Sequence, residues 1–344
     1  MKKFKIGFAG LTHLGLTYLT AAILKKNYVI AFDLNKKKIH DFKLENFQIS
    51  EKSLISKLKK NKKNLFFTND INELNKCDFI FISCDIETDL NNKSNYKDLN
   101  NYINLIKKFI VSEIPIIILS QVKPGFMRKF NLNKLKLYYQ VETLIFGKAL
   151  AQAIKPTRII VGKASIEDKL DLGFQNYLKT FNCPIIEMSF ESAELCKLAI
   201  NIILASNISA ANTIASIAEK IDADYSKILE ALRLDKRIGN SSYIVPGLGI
   251  SGGNLERDIY TTKDLIRENK ILNNNMMNSI SKISETRKNW VFEVFNKINK
   301  TNQIKKITIF GFSYKKDNSS FKNSPTVFFL KKLKKKKNRY LFVR

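Results

Sequence analysis

The sequence predicts an α/β protein in which a parallel sheet fills the N-terminal part and helices fill the middle. A glycine-rich turn, GLTHLG at 10–15, follows one predicted strand and opens a helix. Runs such as FIFIS and IPIIILS are apolar throughout, which is typical of parallel strands covered by helices on both faces. Residues 189–222 contain neither Gly nor Pro and therefore predict one long helix.

The first βαβ unit has the order expected for dinucleotide binding. A strand at Lys3–Ala9 leads through the glycine turn into a helix that ends near Lys25, and a second strand follows at Tyr28–Asp33. Asp33 can accept a hydrogen bond from a ribose 2′-hydroxyl, which favours NAD over NADP. The positive charges of the neighbouring lysines 36–38 reduce that preference for NAD.

One position departs from the dinucleotide pattern, because Thr12 stands where a second glycine normally lets the main chain approach the pyrophosphate. We expect its side chain to crowd the phosphate or replace one main-chain contact, and the affinity to be modest. A glycine-turned βαβ unit with no cofactor is the alternative. The predicted cofactor-binding residues are Gly10, Thr12, His13, Leu14, Gly15, Asp33, Lys38, Ser120 and Gln121.

The alternation of strands and helices continues beyond this unit. Three more strands are predicted at Leu65–Thr68, Asp78–Ser83 and Pro115–Ser120. Because ligands bind at the carboxyl ends of parallel strands, we expect the residues at these ends to lie near a bound cofactor. Those residues are Ser83, Cys84, Ser120 and Gln121.

The composition is that of a folded globular protein of two or three domains, with 344 residues and 44% hydrophobic content. The net charge is +28, but the lysines are dispersed through almost every segment, so we place nucleic-acid binding last. The four cysteines lie in apolar contexts and no metal-ligand spacing is present. With no signal peptide or long apolar run, we expect a cytoplasmic protein without a membrane partner.

The predicted long helix carries two polar residues on one face. Lys197 and Asn201 are one turn apart, so their head groups point toward one spot. The alternative is a lysine that reaches solvent beside a solvated amide. Apolar residues cover most of the circumference, which predicts burial on several sides; they are Leu195, Leu198, Ile202, Ile203, Ile208, Ile214, Ile217 and Ile221.

A glycine-rich loop follows a short helix predicted at Tyr225–Arg233. Five glycines between Gly239 and Gly253 let the main chain approach a ligand closely, and Asp258 is expected to open the next helix.

At this point the chain resembles the nucleotide-sugar dehydrogenases of the UDP-glucose/GDP-mannose dehydrogenase family. The motifs that carry the resemblance run in consistent order from Lys3 to about Pro325. They are GLTHLG with Asp33, SQVKPG, VETLIFGKA followed by PTRIIVG, AELCKLAIN, RIG, PGLGISGGNLERD and GFSYKK.

The resemblance implies three domains. Residues 1–188 would form an NAD-binding Rossmann domain. Residues 189–300 would form an all-α central domain, with a substrate loop at 246–258 and a homodimer interface on the 189–222 helix. Residues 301–344 would be an incomplete Rossmann-like domain for a UDP-sugar.

The resemblance also implies roles for single residues. Lys197 and Asn201 match residues that polarise the sugar hydroxyl and hold the oxyanion, and Asp258 matches an aspartate that assists proton transfer. Glu142 matches an acid that activates water, and Arg237 matches an arginine that reaches a neighbouring subunit's substrate. The remaining substrate-binding residues implied are Gly249, Gly252, Gly253 and Lys315.

The chain departs from the family at the position of the catalytic cysteine. That cysteine captures the aldehyde as a thiohemiacetal before the second oxidation, and here the position is Asn254. Further departures are Gln121 for a threonine, Phe146 for a second glutamate, Gly253 for a serine, and the DIE sequence at 85–87 for a proline-rich turn.

The C-terminal tail is short for a domain of its own. We predict a strand at Lys305–Gly311 and a helix at Thr326–Lys337. A frameshift in a long adenine tract that encodes Lys334–Lys337 is one hypothesis, and a genuine short tail is the other.

These observations predict a dimeric, NAD-dependent oxidoreductase that acts on a nucleotide sugar, most simply a UDP-sugar, for polysaccharide precursor synthesis. Asn254 predicts one hydride per sugar rather than two. The alternative is a catalytically silent paralogue that binds NAD or a nucleotide sugar as a regulatory or heteromeric partner.

Overall fold

The structure is a computed structural model that describes residues 3–47, 52–89, 92–110, 113–130, 136–145, 147–272, 275–302, 304, 306–313 and 321–335. It divides into two compact units. Unit 1 comprises Met1–Asp89 and Ser94–Lys197, and unit 2 comprises Leu90–Lys93 and Leu198–Arg344.

Unit 1 is built on strands that alternate with helices. Its strands are β1 (Lys5–Ala9), β2 (Tyr28–Phe32), β3 (Leu65–Thr68), β4 (Phe79–Ile82), β5 (Glu87–Thr88), β6 (Ser94–Asn95), β7 (Ile116–Ile118), β8 (Leu137–Gln140), β9 (Ile159–Lys163) and β10 (Ile185–Ser189). Its helices are α1 (His13–Leu24), α2 (Lys36–Lys43), α3 (Lys52–Lys60), α4 (Lys97–Phe109), α5 (Ala149–Ile154) and α6 (Leu172–Lys179). Helix α7 (Phe190–Ile221) begins in unit 1 and continues into unit 2.

The main sheet of unit 1 has the strand order β10-β9-β8-β7-β4-β1-β2-β3. Neighbouring strands are parallel except at the antiparallel pair β8 and β9. The apolar run Phe79–Ile82 is buried at every residue, because β4 lies between β1 and β7 under helices on both faces. The predicted α/β core is confirmed.

Unit 2 is helical in the residues described. After α7 it contains α8 (Tyr225–Leu234), α9 (Asn254–Glu268), α10 (Met276–Asn302) and α11 (Pro325–Lys335). The prediction that Asp258 opens a helix was wrong, since α9 begins four residues earlier. The turn through Gly252, at φ +86°, ends at the helix cap Gly253 and lets α9 start at Asn254.

Helix α7 spans 32 residues, within one residue of the predicted bounds at each end. Ser189 accepts a hydrogen bond from the Ser192 amide at 3.3 Å, as expected of a capping serine. The predicted burial on several sides was wrong for this chain: the side chains of Ile203, Ile217 and Ile221 are 61%, 53% and 68% exposed. Sequence pattern alone cannot distinguish an apolar face that packs within the chain from one that packs elsewhere.

By length and composition alone, α7 could also cross a membrane, a test that the core helices of soluble proteins pass as well.

The predicted tail strand is absent from the part described. Residues 306–311 carry no strand, because the described part of unit 2 offers no strand with which they could form a ladder. The predicted tail helix is present as α11. It packs on α10 through Phe295, Phe329 and Leu333.

Candidate active site

The glycine turn of unit 1 is closed by contacts that only glycine allows. Gly10 has φ +94°, and a Cβ there would lie 2.9 Å from the Cβ of Cys84. A Cβ on Gly15 would lie 2.2 Å from the Gly10 carbonyl oxygen. The N-terminus of α1, with His13 and the buried Leu14, is thereby drawn against the ends of β1 and β4.

Thr12 turns its side chain toward the loop after β4. Its hydroxyl donates to the Ser83 carbonyl at 3.2 Å and accepts from the Asp85 amide at 3.0 Å. Thr12 therefore ties the glycine turn to the segment that holds the DIE departure.

Asp33 lies directly after β2 and is 2% exposed. Its Oδ2 accepts from the Leu11 amide and from the Lys38 ammonium, both at 2.8 Å. Its Oδ1 accepts from the Asn35 amide at 2.9 Å. Each carboxylate oxygen has room for about two hydrogen bonds, so Oδ1 retains one position for a ribose hydroxyl.

The carboxyl ends of β4 and β7 meet as predicted. Ser120 donates to the Cys84 carbonyl at 2.6 Å, and Ser83 donates to the Gly10 carbonyl at 3.0 Å. Burial raises the pKa of the Cys84 thiol to about 11, so this cysteine is protonated at neutral pH. Gln121 follows directly and is half-buried.

These residues fit NAD. The closed glycine turn brings the first amides of α1 to the end of the sheet, where a pyrophosphate binds in such folds, and Asp33 has an open acceptor position. The Asp85 carboxyl interacts with the Leu14 amide and the Thr12 hydroxyl at this helix start, and burial raises its pKa.

Lys197 forms an ion pair with Glu142 inside unit 1. Its Nζ lies 3.1 Å from Oε2 of Glu142, and the two side chains are 8% and 14% exposed. The other carboxylate oxygen of Glu142 accepts from the Leu144 amide. The alternative of a lysine that reaches solvent was wrong, because the Lys197 side chain is buried and paired with Glu142.

Glu194, one turn before Lys197, is fully buried and binds the loop after β7. Its carboxylate accepts from the Gly125 amide at 2.6 Å and from the Met127 amide at 2.8 Å. Burial raises the pKa of this carboxyl. The first turn of α7 thus holds the segment that follows Gln121.

In unit 2, Asn201 contacts the buried carboxylate of Asp258. The Asn201 amide nitrogen donates to Oδ2, and Arg257 Nε donates to Oδ1 at 2.9 Å. Asp258 is 2% exposed, Arg257 6% and Asn201 7%. The structure therefore brings together two of the predicted residues and adds Arg257.

The glycine loop before α9 is anchored to two helices. The Gly247 amide donates to Asn212 of α7 at 2.7 Å, and the Ile250 amide donates to the Ser284 hydroxyl of α10 at 2.8 Å. A Cβ on Gly249 would lie 2.5 Å from the Ser284 carbonyl oxygen. The close approach that Gly249 permits is therefore to α10.

The other predicted substrate residues are distributed as follows. Gly252 and Gly253 form the turn into α9, and Asn254 is its first residue. The Arg237 side chain is 89% exposed and pairs with Asp235 at 2.6 Å. Lys315 and Phe146 lie outside the described residues.

Sequence reasoning missed several residues that support these clusters. Glu194, Glu256 and Arg257 carry no role in the sequence analysis. Their positions in AELCKLAIN and GGNLERD, three residues or fewer from predicted site residues, were the available signal. The sequence carries no such signal for Asn323, because its hydrogen-bond partners lie about 70 residues away in the chain.

Two family models match the chain. The NAD-binding domain of the UDP-glucose/GDP-mannose dehydrogenase family matches residues 4–177, and the central domain of the same family matches residues 191–286.

Characterised relatives agree with this match. UDP-glucose 6-dehydrogenase of Campylobacter jejuni is 29% identical over 341 residues, which cover 96% of this chain and 83% of that protein. UDP-glucose 6-dehydrogenase TuaD of Bacillus subtilis is 29% identical over 269 residues, which cover 74% of this chain and 57% of that protein.

Solved structures share the fold. A UDP-glucose dehydrogenase from Pyrobaculum islandicum has a TM-score of 0.87 at 21% identity, over 99% of this chain and 82% of that one. The UDP-D-ManNAc dehydrogenase from Pyrococcus horikoshii has a TM-score of 0.86 at 19% identity, over 98% and 82%. The chain belongs to the UDP-glucose/GDP-mannose dehydrogenase family, NAD-dependent oxidoreductases that act on the CH–OH group of a nucleotide sugar.

Proposed function

We propose that the protein oxidises a nucleotide sugar, in the first instance a UDP-sugar, with NAD and in one hydride transfer, to supply a polysaccharide precursor. The observation that carries the proposal is the pair of buried polar residues on α7. Lys197 and Asn201 lie one turn apart, and each is held by a carboxylate that family resemblance had also assigned to the site.

Lys197 would donate to the hydroxyl oxygen of the sugar. A buried ammonium is costly unless it is paired, and Glu142 provides that pair at 3.1 Å. Lys197 also retains further N–H donors beyond the one that Glu142 accepts. Glu142 therefore orients the ammonium while leaving a proton for the substrate.

Asn201 would stabilise the developing oxyanion. Its amide has two N–H donors, of which Asp258 accepts one. Asp258 is held on both oxygens, by Asn201 and by Arg257. We infer that Asp258 orients the amide of Asn201 toward the sugar oxygen.

When bound, NAD accepts the hydride from the sugar carbinol. Gly10, Gly15 and the first turn of α1 would hold the pyrophosphate, and Asp33 with Lys38 would hold the adenosine ribose. Thr12, whose hydroxyl is bound to Ser83 and Asp85, would leave the pyrophosphate one main-chain contact short.

Asn254 limits the reaction to its first step. An amide side chain is not a nucleophile toward an aldehyde, so the covalent thiohemiacetal cannot form at this position. The product would be a bound aldehyde, or a ketone if the reacting carbinol is secondary. Direct hydration of the aldehyde would allow a slow second transfer.

A homodimer through α7 would cover its exposed apolar face. Leu195, Ile203, Ile217 and Ile221 are each more than half exposed, which leaves a long apolar stripe on one helix.

We also propose that the chain has three domains, at 1–188, 189–300 and 301–344. Lys315 would belong to the nucleotide pocket, and Arg237 would reach the substrate of the partner subunit.

A catalytically silent paralogue is the second candidate. The observation that favours it is Asn254 in the place of the cysteine. Such a protein would keep the NAD and nucleotide-sugar sites and act as a regulatory or heteromeric partner.

Two measurements test the proposal. Mass spectrometry of the nucleotide that co-purifies with the protein would identify the sugar. NADH formation with that sugar should then be lost in Lys197→Ala and retained in the control Lys227→Ala, whose side chain is 72% exposed. Tight sugar binding without any NADH formation would favour the silent paralogue.

A further inference from the structure

Residues 322–323, just before α11, hydrogen-bond both main-chain groups of Gly252 in the turn into α9. The Gly252 amide donates to the Lys322 carbonyl at 3.0 Å, and the Gly252 carbonyl accepts from the Asn323 side chain at 2.9 Å. Both main-chain groups of a glycine with φ +86° are thus satisfied by residues 322–323.

Asn323 uses both N–H groups of its side chain in this contact. One N–H donates to the Gly252 carbonyl, and the other donates to Oε2 of Glu256 in the first turn of α9. The main chain of Asn323 has φ +56°, a conformation that asparagine tolerates better than most residues. This is a specific arrangement of one amide between two acceptors.

Glu256 is itself fixed from the other side. Its Oε1 accepts from the Lys288 ammonium of α10 at 2.6 Å, and the two side chains are 18% and 10% exposed. The carboxylate therefore links α10, the start of α9 and Asn323. Asn254 lies between Gly252 and Glu256, the two residues that Asn323 binds.

We propose that Asn323 is a positioning residue for the substrate loop, which it holds by binding Gly252 and Glu256 at once. The inference rests on the proposed function, because it takes 246–258 to be the loop that contacts the sugar. Gly247, Gly249 and Ile250 are anchored to α7 and α10, so Asn323 secures the remaining end of the loop.

The proposal predicts a selective effect on substrate. A displacement of about 1 Å in a positioned group can cost on the order of 100-fold in rate, so the loss of two hydrogen bonds at the loop should be visible in kinetics. Asn323 and the two residues that its side chain binds, Gly252 and Glu256, all belong to unit 2, and the glycine turn belongs to unit 1, so the KM for NAD should not change.

The experiment compares Asn323→Ala with Phe321→Ala, a control on the same segment whose side chain is 64% exposed. Asn323→Ala should raise the KM for the nucleotide sugar roughly five- to thirtyfold and leave the KM for NAD within about twofold. Hydrogen exchange at the Gly252 amide should become faster in Asn323→Ala and stay unchanged in Phe321→Ala.

Two further variants separate positioning from general damage. Asn323→Asp places a carboxylate beside Glu256, and the two carboxylates repel each other. This variant should raise the KM for the nucleotide sugar at least as much as Asn323→Ala does. Combining it with Glu256→Gln reverses donor and acceptor, restores that hydrogen bond, and should recover part of the sugar affinity. No recovery in the double variant would overturn the role given to the Asn323–Glu256 contact.

Unchanged exchange at Gly252 in Asn323→Ala would overturn the proposal, whatever the activity. Equal losses of sugar and NAD affinity would overturn it too, because they would indicate general unfolding. If no nucleotide sugar is oxidised by the wild type, the proposed function fails, while the exchange measurement still decides whether Asn323 holds the loop.

Discussion

The buried pair of Lys197 and Glu142 predicts a pattern in which each single substitution is worse than the double one. The two side chains are 8% and 14% exposed at a separation of 3.1 Å, so neither charge can turn to water when its partner is removed. Leaving one charge buried and unpaired costs about 3–5 kcal/mol, whereas replacing both by apolar groups is close to neutral.

Lys197→Met should therefore lower the free energy of unfolding by about 3–5 kcal/mol. Glu142→Gln, which keeps a neutral acceptor, should lower it by about 1.5–3 kcal/mol. Lys197→Met with Glu142→Leu should return to within about 1 kcal/mol of the wild type. The control is Glu73→Gln at the ion pair with Lys76, where the lysine is 58% exposed and the effect should stay below about 1 kcal/mol.

The assay is urea unfolding of the four variants, together with the rate of NADH formation. The double variant should regain stability and remain inactive, since neither apolar side chain can donate to the sugar hydroxyl. A double variant no more stable than Lys197→Met, or activity that returns together with stability, would refute the reasoning.

Three other predictions follow from single contacts. Asp33 should make the Kd for NAD lower than that for NADP, and Lys38→Ala should widen the difference because it removes the cation that offsets the Asp33 charge; titration of both cofactors measures this, and tighter NADP binding would reject the role of Asp33. Arg287 holds the pKa of Glu219 below its usual value, so the stabilisation is present at neutral pH and is lost as the pH falls through the lowered pKa. The Tm difference between the wild type and Glu219→Gln should accordingly shrink on acidification, and a difference that grows would contradict this. Ile217→Asp, at a side chain 53% exposed, should convert a dimer to a monomer in light scattering without loss of helix content, and an unchanged mass would exclude α7 as the interface.

The first βαβ unit could be predicted because its determinants are local. The glycines of the turn, the apolar strands and Asp33 lie within about thirty residues, and their spacing specifies both the fold and the cofactor type. The family match and the structure confirm the fold and NAD.

Other features depend on contacts that sequence spacing does not record. A face of α7 that packs within the chain and one that does not have the same apolar pattern, so the sequence does not predict that Ile203 and Ile217 are exposed in the single chain. Residues 306–311 have the composition of a strand, but a strand requires a neighbour for its hydrogen bonds. Asn323 and Glu194 act on segments about 70 residues away, which no local motif reveals.

The central claim is that Asn254 stops the reaction after one hydride, and counting NADH per sugar consumed tests it most directly. The wild type should form about one equivalent and release an aldehyde or ketone, because capture by a thiolate is not available. Asn254→Cys should raise the count toward two, since it places a thiol at the first residue of α9. Two equivalents from the wild type, with a uronic acid as product, would contradict the account.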